Sequence, residues 1–267
     1  MVDIDRIEQF ASDLRHRVIN LARRVENPSH LGGVCSMIEV FSVIQLMLFD
    51  RPFQARLDEK GTTILSKGHS VLIIYAFLIE TGQLLEEDFL ENYERGVTKL
   101  LGHPVRNDDL GIEFSTGSLG MGLGLGVGKA ISYRYRELNY PVAVFVGDGE
   151  LGEGSNYEAM ITAAKYKLGN LVCIVDVNGL QQTGETKVIS GDICWPRVFE
   201  SFGWQTVEVC GHDVEELVLV LTDVKKSFML GDKPLAILAN TIKGKGLGSE
   251  LEGKVECHHF KPEPFND

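Results

Sequence analysis

The stretch that decides the fold runs from Pro141 to Gly184. It opens with Val142-Ala143-Val144-Phe145-Val146 and turns through Gly147-Asp148-Gly149-Glu150-Leu151-Gly152-Glu153-Gly154. A segment of helical character follows from Tyr157 to Lys167, with Gly169-Asn170 as its stop signal. A second apolar run, Leu171-Val172-Cys173-Ile174-Val175-Asp176, ends at Val177-Asn178-Gly179-Leu180. Short unbroken apolar runs on either side of a helix read as a βαβ unit, and that unit implies a parallel sheet. The expected fold class is therefore α/β, a parallel sheet flanked by helices on both faces. Ligands of such sheets sit beyond the carboxyl ends of the strands. Asp148 and Asn178 fall at two successive carboxyl ends, 30 positions apart. Two hard oxygen side chains there suit Mg²⁺, which prefers oxygen ligands and commonly shares them with phosphate.

The same residues admit a rival. Gly147-Asp148-Gly149-Glu150-Leu151-Gly152 is formally G-x-G-x-x-G, and Asp176 stands where a dinucleotide fold keeps its ribose-binding acid. Electrostatics argues against it. A pyrophosphate resting on a bare helix N-terminus wants no anions nearby, yet this loop carries Asp148, Glu150 and Glu153. A loop so charged accepts a diphosphate through a divalent cation.

Working outward, 267 residues suffice for one large α/β domain, and 44% hydrophobic with 24% charged content is that of an ordinary globular chain. The net charge of −12 argues against nucleic acid or an anionic membrane as a partner held by bulk charge. Five scattered cysteines without a C-x-x-C pair suggest free thiols in a reducing, cytoplasmic setting. Cys257-His258-His259 lacks a matching ligand pair for zinc. Asp3, Asp5 and Glu8 speak against a signal peptide, and the apolar stretches 37–49 and 71–79 are too short or too interrupted to span a membrane.

Residues 4–25 have the spacing of an amphipathic helix, with Asp13, Arg15, Arg17, Arg23 and Arg24 expected on a solvated face. Further helices are predicted over 37–49, 71–80, 84–94 and 214–229, and further strands over 62–65, 206–209 and 235–240. Three histidines fall in glycine-bearing loops: His30 before Leu31-Gly32-Gly33, His69 after Ser66-Lys67-Gly68, and His103 in Gly102-His103-Pro104. Imidazoles so placed suit proton transfer and hydroxyl recognition. From Gly117 to Gly128 glycine alternates with apolar residues, the mark of a helix packed very closely on backbone, on a ligand, or on both. Thr241-Ile242-Lys243-Gly244-Lys245-Gly246 forms a basic loop at a strand's carboxyl end, beside the expected site.

Taken together these stretches resemble the diphosphate-binding, amino-terminal half of a transketolase over nearly the whole chain. The thiamine diphosphate signature is Gly-Asp-Gly, about 27 residues, then Asn-Asn; here Gly147-Asp148-Gly149 is followed by 27 residues and then Val177-Asn178. Only the first Asn is replaced. Ser29-His30-Leu31-Gly32-Gly33, Ser66-Lys67-Gly68-His69, Leu101-Gly102-His103-Pro104, Ser115-Thr116-Gly117-Ser118-Leu119-Gly120 and Gly152-Glu153-Gly154 are similar to transketolase motifs in the same order, with departures at Ser118 and Met121. The resemblance implies thiamine diphosphate and a divalent cation, Mg²⁺ or its substitutes Ca²⁺ and Mn²⁺. It implies Asp148, Asn178 and the Leu180 carbonyl as metal ligands. By the same resemblance Gly117, Leu119, Gly147, Gly149, Glu150, Lys243 and His69 would be further cofactor contacts. His30, His69, His103 and His258 would line the catalytic channel, with His259 as the alternative to His258, and Glu153 would belong to an acidic link between paired cofactor sites. The activity implied is transfer of a two-carbon ketol unit. The alternatives are a different thiamine diphosphate carboligase or decarboxylase, and a non-catalytic cofactor-binding or regulatory subunit. The transketolase pyrimidine-binding and carboxy-terminal domains have no counterpart here. The whole of 1–267 is thus read as one domain, its partner as a separate chain in an α2β2 assembly, and 71–79 and the glycine-rich helix as the contact surfaces.

Overall fold

Five strands make one wholly parallel sheet in the order β1-β2-β3-β5-β4. They are β1 (Thr62–Leu65), β2 (Val142–Gly147), β3 (Leu171–Val177), β4 (Gln205–Cys210) and β5 (Leu235–Asn240). The helices are α1 (Ile4–Arg24), α2 (Leu31–Cys35), α3 (Ile38–Met47), α4 (Leu72–Glu80), α5 (Glu86–Asn92), α6 (Met121–Tyr135), α7 (Gly154–Lys165), α8 (Thr186–Ile189), α9 (Trp195–Ser201) and α10 (Val214–Phe228). This computed structural model describes residues 3–49, 56, 58–228 and 231–263. The last position of the helix predicted over 214–229 lies outside them.

Apart from Asp176 in β3 and Asn240 at the end of β5, the central strands are apolar because both faces are covered. Ala143, Phe145, Val172, Ile174, Ile237 and Ala239 point into one core with α1, α3, α4 and α10. Val142, Val144, Val146, Cys173, Val175 and Leu238 point into a second core with α6, α7 and α9. The glycines of α6 set how closely that second layer approaches. A Cβ on Gly122 would come 2.3 Å from Ser66 Cβ, and one on Gly126 would come 2.4 Å from Val144 Cγ2. Gly124 and Gly128 meet nothing within 4 Å, so two glycines of this helix serve the chain's own packing and two lie on its open face.

Two expectations are corrected. The segment 71–79 is no partner surface: Val71 to Leu78 are each at most 3% exposed, inside the chain's own first core. The charged face of α1 is only partly solvated. Arg15 pairs with Glu39 and donates to the Cys35 carbonyl at 3.0 Å and to the Lys245 carbonyl. Arg17 bridges Glu80 at 2.6 Å and Glu86. These pairs tie α1 to α3, α4 and α5, so the basic residues are struts. No helix among the described residues is long and apolar enough to cross a membrane.

Candidate active site

Because every strand runs the same way, the loops after β1, β2, β3 and β5 converge on one edge. Asp148 follows β2 and Asn178 follows β3, as the spacing predicts. Asp148 is 3% exposed. Its Oδ2 accepts from the Gly179 amide at 2.8 Å and from Thr186 Oγ1 at 3.1 Å, and its Oδ1 accepts from the Gly149 amide at 2.7 Å. Burial pushes its pKa up, and the Asp176 charge adds to the effect. A buried carboxylate in that state is one a cation would stabilise.

Asn178 Nδ2 donates to Asp176 Oδ2 at 3.0 Å, which fixes the amide so that its Oδ1 takes the Leu180 amide at 3.1 Å. The Leu180 carbonyl already carries a positive group: Lys243 Nζ donates to it at 3.0 Å and to the Gln181 carbonyl at 2.9 Å. Burial, then the charge of Lys67, lowers the Lys243 pKa to about 8. One carboxylate, one amide oxygen and one carbonyl form an incomplete oxygen set. That composition fits Mg²⁺, which takes few protein ligands and completes its shell with phosphate and water. No group of three or more His, Cys, Asp or Glu that could hold a metal ion occurs among the described residues.

The four predicted channel histidines meet, joined by the alternative fifth. The His30 ring lies 5.5 Å from His69, 5.9 Å from His103, 5.3 Å from His258 and 4.7 Å from His259, centre to centre; His69 and His258 are 5.7 Å apart. An antiparallel bridge delivers the tail to the site. Ser29 N–H donates to the Phe260 carbonyl at 3.2 Å and Phe260 N–H returns to Ser29 at 2.9 Å. Both His258 and His259 thereby reach His30. His258 is the more enclosed, and its Nδ1 is buried without a hydrogen-bond partner among the described residues. Burial is the main cause lowering His30 to about 4, followed by the charges of His259 and His103. Burial, then Lys243, lowers His258 to about 4. His69 is lowered by burial and then by Lys67. These imidazoles are neutral near neutral pH, free to exchange hydrogen bonds with hydroxyls.

Of the other predicted contacts, Gly117 (φ 142°) lies flat against His103: a Cβ there would be 2.9 Å from the His103 Cδ2. Gly149 is needed for the same reason, since a Cβ would stand 2.8 Å from Gln181 Cγ. A Cβ on Gly147 would meet nothing within 4 Å, and Leu119 is 38% exposed. The Glu150 carboxylate is buried beneath the turn. It is 3% exposed and accepts from the Gly120 amide at 2.9 Å, the Gly147 amide at 3.2 Å and Ser66. Its side chain braces the turn from inside.

Two arrangements beneath the site carry no local sequence signal. Lys67 and Asp176 form an ion pair with both side chains 2% exposed. Lys67 Nζ also donates to the Gly33 carbonyl at 2.9 Å, and Asp176 also accepts from Ser36 at 2.5 Å and from Thr241. Asp176 is thus spent on structure, which removes the ribose-binding acid of the dinucleotide rival. β1 and β3 are separated by β2, so no sequence spacing announces this pair. The second arrangement clamps the Lys243 loop. The Ile242 amide donates to His212 Nε2 at 2.8 Å, leaving Nδ1 to donate to Glu39 at 3.0 Å. Arg15, on the other Glu39 oxygen, holds the Lys245 carbonyl.

Residues 8–261 match the family model described as the transketolase thiamine diphosphate binding domain. The chain is 37% identical over 259 residues to one of the subunits of apulose-4-phosphate transketolase from Actinobacillus succinogenes, spanning 97% of this chain and 92% of that one. It is 38% identical over 239 residues to human transketolase, covering 89% of this chain but 37% of the relative. Transketolase from Campylobacter jejuni superposes with a TM-score of 0.86 at 28% identity, over 97% of this chain and 41% of that structure. The chain thus spans about two-fifths of the length of the longer transketolases and nearly all of a relative whose name makes it one subunit of an enzyme. By the family match and by its fold, the chain belongs to the transketolase family, as its thiamine diphosphate-binding part.

Proposed function

We propose that this chain is the diphosphate-binding half of a two-chain transketolase that moves a two-carbon ketol unit from a ketose, or ketose phosphate, to an aldose. A divalent cation, Mg²⁺ or in its place Ca²⁺ or Mn²⁺, would be held by Asp148, Asn178 and the Leu180 carbonyl. Lys243, Gly149, Gly117 and Leu119 would flank the cofactor. When bound, thiamine diphosphate supplies the electron sink for carbon–carbon cleavage. The chain's own residues do the rest. His30, His69 and His258, kept uncharged by burial, accept hydrogen bonds from sugar hydroxyls and take or return a proton at the hydroxyl beside the bond being broken. His103, held by Gly117 behind it, presents its ring to the transferred unit.

The observation that carries this reading is the gathering of four histidine rings about His30 at the same end of the sheet as Asp148 and Asn178. A partner chain bearing the pyrimidine-binding domain would complete the site in a cytoplasmic α2β2 assembly. It would dock on the open face of α6, where Met121 is 53% exposed and Gly124 and Gly128 lie bare. The deciding experiment replaces Asp148 with Ala in the complex isolated through a tag on this chain. Bound metal and ketol transfer should both fall, the transfer by at least ~100-fold. Unchanged transfer would sink the catalytic reading. Turnover of pyruvate in preference to a ketose phosphate would move the enzyme to another thiamine diphosphate reaction.

A further inference from the structure

Two clefts open beside the histidines. One, of about 210 Å³, is lined by His30, His69 and His103. The other, wider and more open at about 570 Å³, runs past His103 to Ser115 and Thr116. They share Asn27, Glu94, Gly102 and His103, so they form a single path leading outward from the histidine cluster. Among the described residues lining that path, Glu94 is the one Asp, Glu, Lys or Arg. The metal-side pocket differs: it is lined by Lys187 and Lys243 as well as Glu185.

Glu94 is held where it stands. Its backbone is left-handed at φ 55°, unusual for a residue with a side chain, and its amide donates to the Leu100 carbonyl at 2.8 Å. Its Oε2 accepts from Asn27 Nδ2 at 3.1 Å. Its Oε1 lies over Gly102, only 2.5 Å from where a Cβ would sit, so glycine is what lets the carboxylate lie against the loop carrying His103. The adjacent cation, Arg95, is engaged with Glu26 at 3.8 Å.

We propose that Glu94 is a specificity-determining residue: it makes this chain's wall of the substrate path a reader of hydroxyl groups and a repellent of phosphate. The inference rests on the ketol-transfer reading above. A carboxylate offers two oxygens that only accept, which matches a polyol chain reaching out from the histidines. The same charge opposes a phosphate group brought into the cleft, and no Lys or Arg among the described lining residues offsets that charge. Any phosphate the substrate carries must then be held from the partner's side of the path.

The test uses the complex carrying wild-type chain, Glu94→Gln or Glu94→Arg, with D-arabinitol and D-arabinitol 5-phosphate as unreactive probes followed by calorimetry. Glu94→Gln should tighten the phosphorylated probe roughly 5-fold at low salt, and the gain should shrink below about 2-fold at 0.5 M salt, as a screened charge effect requires. It should weaken the unphosphorylated probe. Glu94→Arg should carry the preference further in the same direction. The salt dependence separates a charge effect from a change of shape, and Glu94→Gln decides the matter if Glu94→Arg does not assemble. An unchanged ratio of the two affinities overturns the inference. If the wild-type complex transfers no ketol unit to glyceraldehyde or its 3-phosphate, the functional reading fails instead, and the probe affinities still decide what Glu94 does.

Discussion

At the scale of single residues, the site stands on a buried ion pair. Lys67 and Asp176 support Gly33, Ser36, Thr241 and Asn178 from beneath. Removing one partner leaves the other charged in a place without water, which costs about 3–5 kcal/mol. Lys67→Met and Asp176→Asn should each lose about that much in urea unfolding, and the double variant should lose far less than the sum; additive losses would show that the two do not act as a pair. The imidazoles give a second prediction. Lys243 is the second cause of the lowered pKa of His258 and the fourth for His30. Lys243→Met should therefore raise both ring titrations in histidine NMR, that of His258 more; an equal or absent shift contradicts the arrangement. Unfolded imidazoles protonate near 6.5, whereas folded His30 and His258 hold out to about 4, so these two favour the fold fully above pH 6.5 and lose that contribution as pH falls toward 4. Urea midpoints of a His30→Asn, His258→Asn double variant should fall less steeply across that window. Asp148, Asn178, His30 and His69 stand out in the sequence because each sits by a glycine-marked turn after a strand or before a helix, whereas His258 lies in the tail and carries no such local mark. The place of Glu150 in the turn is visible in the sequence, but the bonds of its carboxylate to Gly120, Gly147 and Ser66 are not. Asp176 draws notice for the wrong reason: it ends a strand as a ribose-binding acid does, and its lysine lies two strands away.

Secondary structure is legible wherever periodicity or length is strong. The five strands and the helices α1, α4, α7 and α10 follow the apolar pattern closely. The layer in which a helix ends up is harder to read. The apolar run of α4 suits a partner surface and an internal layer equally, and the choice depends on α1 and α5 covering it. The glycine-rich α6 permits a sharper test. Gly122→Ala and Gly126→Ala press a methyl into Ser66 or Val144 and should each destabilise the chain by about 1–3 kcal/mol. Gly124→Ala and Gly128→Ala meet nothing and should stabilise the chain by up to about 1 kcal/mol each through helix propensity. Thermal unfolding of the four variants checks the division; a loss at Gly124 or Gly128 comparable to that at Gly126 would refute it. The loop clamp belongs to this scale as well. His212 and Glu39 lie on different elements and fix Ile242 beside Lys243, a relation that strand order creates and no local pattern encodes.

At the scale of the whole molecule, the site lies at the carboxyl ends of the strands of one parallel sheet. The chain matches the apulose-4-phosphate transketolase relative over almost its full length and human transketolase over 37% of its own. The exposed Met121 follows directly on Gly120, which packs against Glu153, and the bare glycines of α6 continue along the same helix. A partner seated there would cover the cofactor site and the path past Glu94 together. Because alanine at Gly124 and Gly128 fits this chain alone, the double variant separates folding from assembly. Native mass spectrometry of the complex taken gently through a tag on this chain should give masses for a second chain, thiamine diphosphate and a divalent cation. With Gly124→Ala and Gly128→Ala together, the chain should remain folded while the second chain is lost and cofactor retention falls. Full retention of the second chain would place the docking surface elsewhere on the molecule. A wild-type chain that carries no second chain but still transfers ketol units would end the two-chain reading, since the site would then be complete within copies of this chain.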